Sequence, residues 1–96
     1  MTGYVPKTSF WNDFSIAECY GRNAIKDTFK RAFNEWKSDV EYLTELVMIL
    51  NWKIWSWYEE NDSLAELYQE FYEKADQYAI ETLKGDELTY FLKTVD

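Results

Sequence analysis

The 96-residue chain contains no histidine, which removes the Ser-His and Cys-His arrangements that activate a nucleophile. Its one cysteine, Cys19, has Glu18 beside it and no obvious cation that would stabilise a thiolate. It therefore reads as a small, buried apolar residue in a reducing cytoplasm, and a single cysteine excludes an internal disulfide. Carboxylate pairs such as Glu59/Glu60 have the atoms for acid–base work, but no second functional group accompanies them. A di-iron bundle needs Glu-x-x-His and a zinc site needs cysteine or histidine pairs; both are missing. Glu59-Glu60-Asn61-Asp62 is rich in oxygen donors yet lacks the spacing and the glycine of a calcium loop. No glycine-rich loop is present to cradle phosphate. The expectation is a protein that is not an enzyme and needs no metal or cofactor.

Charge is where the spacing becomes informative. Asp62, Glu66, Glu70 and Glu73 recur at intervals of four, four and three, which places them along one side of a helix. Asp76 and Glu81 extend that surface toward the helix end, and Glu59 and Glu60 precede it. The first four sit ~4.5–6 Å apart along the axis. Phosphates on a DNA strand recur every ~3.4 Å, so the spacing permits, without demanding, mimicry of a nucleic-acid backbone. Residues 59–87 hold ten carboxylates against Lys74 and Lys84, a net of −8. Ordinary solvated helices intersperse the two signs, although a solvated amphipathic face remains the plainer reading.

Two further surfaces stand out. Met48, Trp52 and Trp55 fall outside the apolar stripe of the third helix and Trp57 sits at its edge. That pattern fits a central helix, or a Trp52/Trp55/Trp57 patch covered by a second copy or a partner. Ala17 and Gly21, followed by Lys26, Lys30 and Arg31, resemble a DNA-binding helix-turn-helix corner. Asn23 stands where that motif wants an apolar residue, and the net charge of −8 opposes phosphate binding. A simple helical corner explains the same residues, its cations able to pair with acidic groups of the fourth helix within or between chains.

The elements that must position these side chains are all helical. Breakers are scarce, with three Gly and one Pro, and no strand-like alternation persists. Met1–Thr8 reads as an extended arm, and Thr8 or Ser9 caps a first helix to about Tyr20. Phe10, Trp11, Phe14 and Ala17 face inward, with Ile16 a further candidate, and Gly21 closes it in a left-handed conformation. Asn23 caps a second helix bearing Ile25, Phe29, Ala32, Phe33 and Trp36. Ser38 with Glu41 and Ser63 with Glu66 form capping boxes for the third and fourth helices. The third runs to about Glu60 with Leu43, Leu46, Val47, Leu50, Ile54 and Tyr58 on one stripe. The fourth faces inward through Leu64, Leu67, Tyr68, Phe71, Ala75, Tyr78, Ala79 and Leu83, and Gly85 ends it. A short fifth helix, Glu87 to about Lys93, offers Leu88, Phe91 and Leu92 as a lid. The reading is all-α: one compact four- to five-helix bundle over residues 1–96, with the arm 1–8.

Composition agrees with a single core. Aromatics make up 20% of the chain, and each large ring buries ~150–250 Å², so a short chain can build a stable interior. Residues 1–37 carry six cations against four carboxylates, net +2; residues 38–96 carry four against fourteen, net −10. A field of that sign repels nucleic acid and anionic membrane and steers basic partners in. The opening segment has no basic start followed by an apolar run. The most apolar stretch, Leu46–Tyr58, is broken by Asn51 and Lys53 and is shorter than the ~20 residues of a membrane span. A cytoplasmic protein is expected.

The segments FWNDFSIAECYG, KDTFKRAFNEWK and YLTELVMILNWKIW, within Phe10–Tyr58, together with LKGDELTYFLKT, Leu83–Thr94, resemble a group of small acidic helical proteins of conjugative elements and phages of Firmicutes. The resemblance covers most of the chain. It implies a setting, assigning neither an activity nor site residues. In size and charge, small acidic proteins of mobile elements resemble anti-restriction and anti-CRISPR inhibitors. The expected function is therefore a mobile-element-encoded inhibitor of a host nucleic-acid-acting defence protein. Its acidic helix face would engage a basic protein surface such as a nuclease, with no direct nucleic-acid or membrane binding. A helical assembly or adaptor protein that dimerises through the tryptophans is the alternative, and a helix-turn-helix-like regulator the third.

Overall fold

The computed structural model describes the backbone of residues 5–95 and the side chains of residues 11–35 and 37–95. Five helices follow one another: α1 Val5–Glu18, α2 Arg22–Trp36, α3 Val40–Trp57, α4 Asp62–Thr82 and α5 Asp86–Val95. Among the described residues there is no strand, and the chain is an all-α bundle. The inward roles expected of Phe10 and Trp36, and residues 1–4 of the expected arm, lie outside what is described.

Helix α1 starts at Val5, inside the segment expected to be extended. Pro6 falls in the first turn, where a missing N–H costs nothing and a fixed φ suits the helix. Gly21 does end the turn after α1, but at φ 114°, ψ −179° rather than in the left-handed helical region. That is backbone only glycine adopts readily. Its carbonyl accepts from the Ile25 N–H at 3.2 Å, so Gly21 caps α2, and Asn23 lies inside the first turn.

The other caps also differ from the expected serines. Asp39 precedes α3 and accepts from the N–H groups of Glu41 at 2.9 Å and Tyr42 at 3.2 Å. A carboxylate can take both donors and favours the positive helix end, which a hydroxyl at Ser38 cannot match. Helices α2 and α3 are thus separate. Asn61, extended at φ −154°, caps α4 by accepting from Leu64 N–H at 3.1 Å. Ser63 instead meets Arg22, whose Nη1 donates to the Ser63 carbonyl at 3.1 Å and to its hydroxyl.

α3 packs against every other helix and is the centre of the bundle. Leu43, Leu46, Val47 and Leu50 are fully buried along it. Phe14, Ile25, Leu67, Tyr68, Ala75 and Ala79 close the core from α1, α2 and α4. Aromatic contacts join α2 to α4: Phe29 stacks on Phe71 with centroids 4.3 Å apart, and Tyr78 meets Phe33 edge-on at 5.2 Å. Phe91 anchors α5 over α3.

Four side chains expected inside are exposed: Ile16, Cys19, Tyr58 and Leu92. Each sits at or near a helix end, or on a helix covered from one side only. There the apolar stripe outruns the surface available to cover it. The Cα radius of gyration, 13.0 Å, is close to the ~12–13 Å of a folded chain this long. Among the described residues no helix is long and apolar enough to cross a membrane.

Candidate partner-binding surface

At about 100° per residue, the core-facing residues of α4 (Leu67, Tyr68, Phe71, Ala75 and Ala79) centre on one side of its axis. Asp62, Glu66, Glu70, Glu73 and Glu81 occupy a sector about 100° wide on the opposite side, and all five are exposed. From Asp62 to Glu81 the stripe runs about 28 Å at 1.5 Å per residue. Exposed Glu59 and Glu60 extend it into the α3–α4 turn. Asp76 lies at the sector's edge and is half-buried.

No described cation neutralises these seven exposed carboxylates: the ion pair formed between described residues, Lys53–Glu18, is elsewhere. Glu73 accepts from Gln69 Nε2 at 3.1 Å, and Glu81 accepts from Gln77. Those amides hold two carboxylates in place without cancelling charge. Lys26, Lys30 and Arg31 of α2 are exposed and form no ion pair with α4 within the chain, one of the two pairings, within or between chains, open to them. Among the described residues no group of three or more acidic or cysteine side chains could hold a metal ion. The stripe is spread along an axis, a geometry suited to a long basic surface rather than to a point cation.

The tryptophans divide. Trp52 and Trp55 are 63% and 68% exposed on the outer side of α3. Trp57 turns inward, half-buried, and its Nε1 donates to Glu18 Oε2 at 3.1 Å. Tyr58, 57% exposed, takes its place at the surface, with its ring centroid 5.5 Å from that of Trp55. Tyr58 lines an open groove of about 490 Å³ together with Ile54, Asp62, Ala65, Glu66 and Gln69. Acidic stripe and aromatic patch are therefore neighbours. The α1–α2 corner mixes signs, with Asp13 and Asp27 beside Arg31 around a shallow hollow.

A buried polar cluster is the feature that sequence reasoning missed. Lys53 Nζ lies 3.1 Å from Glu18 Oε2, donates to Ser15 Oγ at 2.9 Å and stands 4.1 Å from the Trp11 ring centroid. Tyr68 donates to the same Glu18 oxygen at 2.6 Å. The cluster ties α1, α3 and α4 together at one carboxylate. A signal was available: Lys53 shares the helical side of Leu46 and Leu50, which a solvated lysine would avoid.

Burial first, then the Glu18 hydrogen bond and charge, push the Tyr68 phenol well above its ordinary value. A raised folded-state value means that the contribution is complete below the unfolded value near ~10 and is lost as pH rises past it. Wild type is expected to lose stability above pH ~10 more steeply than Tyr68→Phe. Thermal melts between pH 8 and 11 check this, and equal slopes would remove Tyr68 as the cause.

Compared with protein-family models, curated proteins and solved structures, the chain matches none.

Proposed function

We propose that this chain is a non-enzymatic acidic binding protein that presents the outer face of α4 to a basic surface on another protein. Its target, in this reading, is a host nucleic-acid-acting defence protein, inhibited by a product of a mobile element. One observation carries the binding reading: five exposed carboxylates on one face of α4 about 28 Å long, extended by Glu59 and Glu60 in the preceding turn, none with a described cationic partner. Solvated helices that serve only solubility intersperse signs, and α4 has only Lys74 within its acidic span. Such a face steers a cationic groove into contact and excludes the phosphates that the groove otherwise holds.

A second reading rests on Trp52 and Trp55, whose exposure suits a dimer or adaptor surface. One experiment separates the two. The protein is immobilised, host extract is passed over it at low salt, and bound material is eluted with duplex DNA. The acidic reading expects a basic nucleic-acid-binding protein released by DNA. Recovery of the chain alone, with a dimer by light scattering that Trp55→Ala dissolves, would replace that reading with assembly.

A further inference from the structure

We infer that the groove between the end of α3 and the start of α4 receives an arginine side chain of the basic partner. This inference rests on the proposed function and deepens it. Charge complementarity selects a cation, since Asp62 and Glu66 line the groove and no described cation pairs with either. They stand one helical turn apart, ~6 Å along the axis, a separation across which a planar guanidinium can donate to both. The wall facing them is apolar and aromatic: Ile54 and Tyr58, with Trp55 beside Tyr58.

Arginine matches both halves of this lining. Its guanidinium is weakly hydrated, stacks on aromatic faces and forks toward two acceptors, while its methylene stem packs on Ile54 and Ala65. Lysine is a strongly hydrated point charge that can sit over a ring but neither stacks flat on it nor forks toward two acceptors. Gln69 adds an amide oxygen at the rim as a further acceptor. The open groove, about 490 Å³, has room for one extended side chain.

The probes are two nonapeptides, nine lysines and the same peptide with a central arginine, titrated at low salt by calorimetry and by amide chemical shifts. The arginine peptide is expected to bind about three- to tenfold more tightly, with arginine-dependent shifts at Ile54, Ala65 and Gln69. Tyr58→Ala should abolish that preference. Trp52→Ala, outside the groove, should keep the preference. If both peptides bind equally, if the shifts fall elsewhere, or if a folded Tyr58→Ala retains the preference, the groove is wrong and the acidic-face reading stands. If neither peptide binds at low salt, both fall together.

Discussion

Lys53→Ala is expected to destabilise the protein by about 3–5 kcal/mol, because it leaves Glu18 charged and enclosed without its counter-ion. The pair is sheltered, with side-chain exposures of 4% for Lys53 and 12% for Glu18, so solvent screening does little to soften the loss. Removing the lysine also strips the Ser15 hydroxyl of its donor and the Trp11 ring of its cation. A domain of this size holds about 5–15 kcal/mol in total, so the variant should approach the threshold of folding. Lys53→Met combined with Glu18→Gln should recover much of the loss. No uncompensated charge then remains, and a neutral amide can still accept from Trp57 and Tyr68. Urea denaturation measures both variants, and an unfolding free energy for Lys53→Ala within about 0.5 kcal/mol of wild type would mean that the cluster is not structural.

Reversing Glu66, Glu70 and Glu73 to lysine is expected to reduce binding to a basic partner between about tenfold and more than a thousandfold. Exposed ion pairs contribute about 0.2–1 kcal/mol each. Reversal replaces each attraction with a repulsion of similar size, so three sites change the affinity by about 1–6 kcal/mol. The substitutions are exposed on α4 opposite its buried side, so helicity by circular dichroism should be unchanged. The wild-type affinity should fall steeply with salt, whereas the variant's residual affinity should depend on it little. Full affinity in the triple variant would reduce the stripe to a solubilising surface.

These two expectations had different visibility in the sequence. The stripe was legible because helical periodicity alone brings residues four, four and three apart to one side. The inward face from Leu64 to Leu83 was legible for the same reason, and all eight of its residues are buried or half-buried. The caps were less so: Ser38, Asp39, Asn61 and Ser63 all carry acceptors, and the choice among them depends on which residue the preceding turn holds extended. Ile16, Cys19, Tyr58 and Leu92 were misplaced because periodicity gives a direction but not the extent of the neighbouring surface.

Sequence by itself determined the helical class, the register of each buried stripe and the concentration of negative charge on α4, all of which follow from spacing within single helices. Tertiary structure alone decided that Glu18, Lys53, Tyr68 and Trp57 meet, since the Trp57–Glu18 and Tyr68–Glu18 links span 39 and 50 residues and Lys53–Glu18 joins similarly distant segments. It also brought Tyr58 and Ile54 beside Asp62 and Glu66, and turned Trp57 inward while Trp52 and Trp55 stayed at the surface. The reason is physical. Local periodicity is set by backbone geometry, whereas contacts between helices depend on how several stripes share one small core.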